Sequence, residues 1–157
     1  MTIEERLNKL EEAVFGRESE QSEWSGNVAT KELDCGLTIA MEDYYEIDGD
    51  GNKKTEFTYD EAMEIEKKTG GKWRLPTMAE WAQICDELGV KDHILDRDKV
   101  VKTLNLTEDS DGFGYYWSST LQSGSNAYYL CFNSSDLSPA YRNSRGNGFS
   151  VRCVLAK

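Results

Sequence analysis

The chain changes composition at about residue 109, and this change limits how its helices and strands can be arranged. Residues 109–156 contain no lysine and no glutamate, whereas both are frequent before that point. Between residues 116 and 148 the chain is rich in Ser, Asn, Gly and Tyr, the mixture typical of adaptable binding loops. The composition therefore predicts a recognition surface in this part, although a Ser/Gly-rich linker would have a similar composition.

Helix start signals lie before the compositional change. Three capping boxes, in which a threonine hydroxyl and a glutamate carboxylate bond the free amides of a first helical turn, begin at Thr2, Thr58 and Thr77. Glycines that could end these helices in a left-handed conformation follow at Gly16, Gly70 and Gly89. The signals predict helices over residues 2–15, 59–69 and 78–88. The third helix should bury one face, formed by Met78, Trp81, Ile84, Cys85 and Leu88.

The first predicted helix carries a two-heptad apolar seam of Ile3, Leu7, Leu10 and Val14. A helix of about four turns is marginally stable alone. The seam therefore predicts association with copies of itself, and we expect a homotrimer held by residues 1–16. An amphipathic helix packed on its own domain is the alternative.

The remaining pattern predicts short strands. We expect a strand at residues 37–41, then a hairpin pairing residues 44–47 with 54–57 across Asp48-Gly-Asp-Gly-Asn52. Residues 91–107 are ambiguous and could include a short helix. Further strands are predicted over residues 115–118, 127–132 and 149–155. Two helices followed by a strand-rich half, without β-α-β alternation, predict an α+β domain.

The length of 157 residues suits one domain with a short appendage. We expect an oligomerisation helix at residues 1–16, a linker and first strand region at 17–36, and a binding domain at 37–157 with a variable region at about 116–154.

Residues 1–108 carry a net charge of −12, and residues 109–157 carry +1. Nucleic-acid binding is excluded because it needs clustered Lys and Arg. Residues 1–15 lack an apolar run, so neither a signal peptide nor membrane insertion is predicted, and synthesis in the cytoplasm is expected.

Few residues have the spacing of a reactive or metal site. The four cysteines include no C-x-x-C pair, and we expect buried free thiols. Asp48, Asp50 and Asn52 match the first ligands of a calcium loop, but Lys53 and Tyr59 occupy positions that need Gly and Glu, so a simple turn is predicted. The single histidine, His93, matches no nucleophile spacing and is interpreted as a solvated loop residue. Arg74 precedes a helix start, and we expect it to fix the loop through bidentate hydrogen bonds rather than to bind a ligand.

Several blocks of sequence together resemble a known group of proteins. They are Trp73-Arg-Leu-Pro-Thr77 with Glu80-Trp81, Tyr116-Trp-Ser-Ser-Thr120, Ala127-Tyr-Tyr-Leu-x-Phe132 and Gly148-Phe-Ser-Val-Arg-Cys-Val154. Their order and spacing resemble bacterial and phage C-type-lectin-fold domains. That group includes formylglycine-generating-enzyme-like proteins and the variable proteins of diversity-generating retroelements. The resemblance covers residues 37–155 and implies a C-type lectin fold of two helices and small antiparallel sheets, with the short coiled-coil helix before it.

The C-terminal part is most similar to the retroelement variable proteins. In that family a mutagenic reverse transcriptase rewrites adenines, so that template Asn codons become many residues at fixed sites. The resemblance implies a constant frame at residues 132–135, 139, 142–143, 145 and 148–152. It implies diversified, ligand-binding positions at Leu121, Ser123, Ser125, Tyr129, Cys131, Asp136, Ser138, Ala140, Tyr141, Ser144, Gly146 and Asn147. Lysine and glutamate cannot arise from AAC or AAT by changes at adenines alone, which accounts for their absence at the diversified positions.

The resemblance implies a non-enzymatic receptor- or ligand-binding protein, displayed on a phage virion, whose partner is a protein or glycan on a target cell. No cofactor or metal is expected. An enzyme related to formylglycine-generating enzymes and a structural decoration domain on a virion or cell surface are the alternatives. Formylglycine-generating enzymes use two closely spaced cysteines, whereas Cys131 and Cys153 are far apart, and Trp117-Ser-Ser replaces the Trp-Asn-Asp motif of calcium-dependent lectins. Formylglycine generation and calcium-dependent sugar binding are therefore both expected to be absent.

Overall fold

A computed structural model describes Trp24, residues 28–91 and residues 94–156. The predicted helix at residues 2–15, its apolar seam and Gly16 lie outside the described residues. The strands are β1 (Thr30–Glu32), β2 (Thr38–Ala40), β3 (Glu46–Ile47), β4 (Lys53–Lys54), β5 (Trp73–Arg74), β6 (Val90–Lys91), β7 (Ile94–Leu95), β8 (Gly114–Leu121), β9 (Asn126–Phe132), β10 (Leu137–Ser144) and β11 (Val154–Leu155). The helices are α1 (Tyr59–Met63), α2 (Ile65–Lys68), α3 (Met78–Gly89) and α4 (Arg97–Leu104).

The strands form small antiparallel sheets, which confirms the predicted α+β class. One sheet has the order β1-β2-β11-β5, so strands from the two ends of the domain lie side by side. A second sheet of longer strands has the order β10-β9-β8. The predicted hairpin is confirmed in shorter form, with Glu46 opposite Lys54 and Ile47 opposite Lys53. Among the described helices, none is both long and apolar enough to cross a membrane.

The capping boxes predicted at Thr58 and Thr77 are confirmed. In each, the threonine hydroxyl accepts from the amide of the third helical residue, and that residue's glutamate accepts from the threonine amide, at 2.9 to 3.2 Å. The predicted helix over residues 59–69 is interrupted at Glu64, which separates α1 from α2. The segment at residues 91–107, which was ambiguous in the sequence, contains α4. Asp96 caps this helix, since its side chain accepts a hydrogen bond from the Lys99 amide.

Gly70 and Gly89, the two glycines predicted to end helices in the described part of the chain, differ in backbone conformation. Gly70 has a φ of 69°, the left-handed conformation that was expected. Gly89 is still helical, and the expectation of a left-handed residue there is wrong. A Cβ on Gly89 would overlap Val100 Cγ2, so the glycine allows α3 and α4 to pack closely. Its role is therefore close approach of two helices, not chain reversal.

Two clusters of buried side chains cover the two faces of the β8–β9–β10 sheet. Tyr116 and Leu130 face a cluster built on α3 and α4. Their neighbours Trp117 and Tyr129 point the other way, into an aromatic cluster. Alternation along β8 and β9 therefore places an apolar side chain on each face in turn.

Trp24 belongs to the aromatic cluster. This residue lies in the predicted linker and first strand region at 17–36, yet it is only 2% exposed. It lies edge-on to Tyr44 and Trp73, with centroid separations of 5.1 and 5.3 Å, and its Nε1–H donates to the Asp43 carbonyl at 2.9 Å. The predicted linker region at 17–36 thus contributes this core residue as well as β1.

Arg152 is a fully buried cation whose five N–H donors all have acceptors. Nε and Nη2 donate to Asp43 Oδ1 at 3.1 and 2.6 Å. The remaining donors reach the carbonyls of Ala40, Leu104 and Asn105. Asn105 adopts a left-handed φ of 55°, which ends α4 and turns its carbonyl toward the guanidinium. Asp43 also accepts from the hydroxyls of Tyr116 and Thr107, at 2.8 and 2.7 Å.

We predict that Arg152→Met will lower the free energy of unfolding by about 3–5 kcal/mol, because Asp43 would remain desolvated without its counter-charge. The Asp43 side chain is only 17% exposed. Urea unfolding followed by tryptophan fluorescence measures the change. Arg142→Met, at an exposed position of β10, is the matched control and should change stability by no more than about 0.5 kcal/mol. Equal unfolding midpoints for the two variants would contradict a central role for Arg152.

Candidate functional site

Most of the twelve expected ligand-binding positions lie at the surface. Eight are exposed, namely Leu121, Ser123, Ser125, Asp136, Ala140, Tyr141, Ser144 and Gly146. Cys131, Ser138 and Asn147 are half-buried, and Tyr129 is buried. The positions fall in the β8–β9 hairpin, on β9, on β10 with the turn before it, and in the loop after β10. The three-stranded sheet therefore carries all of them.

Arg145 joins two of these segments at one end of the sheet. Its amide donates to the Ser125 carbonyl and its Nη1–H donates to the Gly124 carbonyl, both at 3.0 Å. Its Nη2 forms an ion pair with Asp60 of α1, and its guanidinium lies 5.1 Å from the Tyr59 ring centroid. Arg145 belongs to the expected constant frame, and it holds the β8–β9 hairpin and the loop after β10 together.

The other end of the sheet contains a concavity of about 240 Å³. Its lining combines four of the expected binding positions with three framework residues: Cys131, Asp136, Ser138 and Tyr141, with Phe132, Asn133 and Leu137. Asn133 shapes the rim, since its Oδ1 accepts from the amides of Ser135 and Asp136 at 2.8 and 2.7 Å. Asn133, an expected constant residue, therefore fixes the turn that carries the expected variable residue Asp136.

Strand β10, which the sequence analysis missed, is an edge strand of this sheet. A register shift between Ser138 and Tyr141 distorts its pairing with β9. Pro139 has no amide N–H to offer, and the Ala140 amide donates to Ser138 Oγ at 3.2 Å. Farther along, the Ser144 amide donates to Asn143 Oδ1 at 2.8 Å and the Ser144 carbonyl accepts from Asn147. Side chains and local turns therefore occupy much of the strand's outer backbone.

Tyr129 is the one expected binding residue that the structure places in the core. It is 7% exposed, and its ring centroid lies 4.6 Å from that of Phe149 and 6.1 Å from that of Trp117. Burial raises the pKa of its hydroxyl. The neighbouring Tyr141 ring, 6.1 Å away, is 50% exposed. Tyr141 thus has the exposure expected of a binding residue, whereas Tyr129 does not and is a core side chain.

We predict that Tyr129→Ala will lower the free energy of unfolding by about 3 kcal/mol or more, because it empties part of the aromatic cluster. Tyr141→Ala should change it by no more than about 0.5 kcal/mol. Thermal and urea unfolding of the two single variants, measured side by side, separates these effects. Equal stability of the two variants would contradict the assignment of Tyr129 to the core.

The other candidate residues have structural roles. The Arg74 guanidinium forms two bonds to the Glu80 carboxylate, at 2.7 and 2.8 Å, which confirms the expected bidentate contact. This contact lowers the pKa of Glu80. Asp48 Oδ1 accepts from the amides of Asp50 and Asn52, both at 2.9 Å, so that carboxylate closes a turn. His93 lies outside the described residues.

The cysteines are free thiols, as expected, although only Cys85 and Cys153 are buried. Burial raises the pKa of Cys85 to about 12 and also raises the pKa of Cys131 and Cys153. A thiol with a raised pKa is protonated at neutral pH and is a weak nucleophile. Within residues 24, 28–91 and 94–156, no group of three or more His, Cys, Asp or Glu side chains could hold a metal ion.

Arg97 is a framework residue that the sequence analysis did not identify. It is buried at the start of α4 and donates to the carbonyls of Asn133 and Gly112 at 2.6 and 2.8 Å. It is also paired with Asp98 and Glu108. No local motif marks it, because its partners other than Asp98 come from separate loops.

Comparison with known proteins gives no family assignment. No protein-family model matches the chain, and no curated protein matches it significantly.

Proposed function

We propose that the chain is a non-enzymatic ligand- or receptor-binding protein that displays a diversified surface on a C-type lectin fold, as retroelement-diversified phage receptor-binding proteins do. The proposal starts from the sequence blocks that resemble this family. The α+β architecture supports it, since strands from both ends of the domain pair in one sheet and a second sheet carries the expected binding positions. The ligand is a protein or glycan on a target cell.

One observation carries the proposal: expected variable and expected constant residues alternate along one stretch of chain and differ in their contacts. Eleven of the twelve expected variable positions are exposed or half-buried. Their side-chain hydrogen bonds are local, as in Ser123, which accepts from the amides of Ser125 and Asn126. In the expected frame, Asn133 and Asn143 also make local side-chain bonds, whereas Arg145 and Arg152 bond distant elements. This separation would let the surface change while the fold is kept.

The surface chemistry suits binding rather than catalysis. Tyr141 and Leu121 are 50% and 46% exposed, and tyrosine provides contact area at low entropic cost. The two cysteines that an enzyme of the formylglycine-generating type would need have raised pKa values. A binding role is therefore favoured over that alternative.

We expect binding of fluorescently labelled chain to intact bacterial cells to depend on this surface. Alanine substitution of Leu121, Ser138 and Tyr141 together should reduce cell binding at least tenfold and leave the unfolding midpoint nearly unchanged, because these side chains are not core residues. The matched control replaces three exposed residues outside the sheets, Glu64 between α1 and α2, Lys67 on α2 and Asp86 on α3, with alanine. Flow cytometry over a panel of bacterial strains measures binding.

Equal loss of binding in the control would contradict the assignment of this surface. Diversification is tested separately in the DNA that surrounds the gene. We expect a near-copy of the segment that encodes residues 116–154, differing almost only at adenines, beside a reverse transcriptase gene. Absence of such a repeat from the complete genome would exclude active diversification.

We also propose that residues 1–16 hold three copies together on a phage virion. Three linked domains would bind a cell with much higher avidity than one, since the second and third contacts are effectively intramolecular. Light scattering should show a trimer of the full chain at micromolar concentration and a monomer after deletion of residues 1–16. The matched variant Leu7→Asp should also be monomeric, and a monomeric full chain would contradict the proposal.

A further inference from the structure

The concavity at the β9–β10 end is small and has one charged wall. Its volume of about 240 Å³ is below the range of about 300–1,000 Å³ usual for sites that enclose a whole small molecule. It is large enough for a single side chain of a larger partner. Asp136 supplies the charge, and the half-exposed ring of Tyr141 supplies an aromatic surface.

The Asp136 carboxylate has no ion-pair partner among residues 24, 28–91 and 94–156. Its main chain is held in the turn by Asn133, but its side chain forms no hydrogen bond or ion pair in that part of the protein. Arg97 lies under the same end of the sheet, with its guanidinium 5.1 Å from the Phe132 ring centroid. That cation is already paired with Asp98 and Glu108. Asp136 lines the concavity, and its charge is not compensated by Arg97.

The lining disfavours acidic and apolar side chains, and it favours a cation over a neutral polar donor, which would leave the Asp136 charge uncompensated. An acidic side chain would be repelled by Asp136. A purely apolar one would desolvate that carboxylate without providing a hydrogen-bond donor, which is unfavourable. A guanidinium or ammonium group can donate to the carboxylate and to Ser138 Oγ, and it can also stack on the Tyr141 ring.

We propose that this concavity takes an arginine or lysine side chain presented by a protein ligand. This inference rests on the proposed ligand-binding function of the three-stranded sheet. It adds that Asp136, Ser138 and Tyr141 select a ligand with a basic side chain. The attraction comes from Asp136 itself, because the acidic excess of the chain lies in residues 1–108 and the segment of residues 109–157 has a net charge of +1. Since Asp136, Ser138 and Tyr141 are expected variable positions, other variants of the protein would select other side chains.

Tetra-arginine amide, added to the ¹⁵N-labelled full-length chain, provides the test. We expect saturable amide shifts at Cys131, Asp136, Ser138 and Tyr141, and no such shifts with tetra-glutamate. Asp136→Asn and Tyr141→Leu should each raise the dissociation constant about two- to five-fold, through loss of the carboxylate and of the aromatic face respectively. Higher salt should weaken the binding, as for any exposed charge pair.

Asp86→Asn is the matched control, because it removes the same charge from an exposed position on α3. Its dissociation constant should equal that of the unmodified chain. Equal effects of Asp86→Asn and Asp136→Asn would show general charge attraction and overturn the inference. Shifts confined to residues 121–125 and 144–147 would also overturn it while leaving the proposed binding face intact. No saturable shift at millimolar peptide would overturn it too, whereas failure of the proposed function is seen independently in the cell-binding assay.

Discussion

The buried ion pair between Arg152 and Asp43 is the contact on which the rest of the domain depends. It connects the end of β2, the end of α4 and, through the Tyr116 hydroxyl, the centre of β8. A buried guanidinium is costly unless every donor is satisfied, and the left-handed Asn105 helps to meet that requirement. The two apolar clusters can therefore pack on opposite faces of one sheet while this polar contact fixes how their elements are aligned.

Features that depend on neighbouring residues were predictable from the sequence. The capping boxes at Thr58 and Thr77, the turn closed by Asp48 and the bidentate contact of Arg74 each involve residues within a few positions of one another. Contacts between distant segments were not predictable, and Arg152 and Asp43 are 109 positions apart. Strand β10 was missed because it lacks apolar alternation, since most of its residues are exposed on an edge. Gly89 looked like a helix end because sequence alone does not show that Val100 approaches it.

Tyr129 shows why the candidate site could be predicted only in part. Residues on β9 alternate between two faces, and in most sheets with a binding surface one of these faces is solvated. Here Leu130 and Tyr129 are both buried because each face of the sheet carries an apolar cluster. The exposed positions instead lie at the two ends of the sheet and along β10. Variation at those ends changes the surface without disturbing the layers between them.

The outer edge of β10 gives this arrangement a further property. An exposed edge strand can pair with the same strand of another copy, and a protein whose edge residues change repeatedly would eventually acquire sequences that aggregate in this way. Here Pro139 lacks a donor, and Asn143 uses its side chain to occupy the amide of Ser144. Both belong to the expected constant frame. Two of the features that disfavour pairing at this edge thus come from residues outside the expected variable set, and substitution at the expected variable positions would leave those two in place.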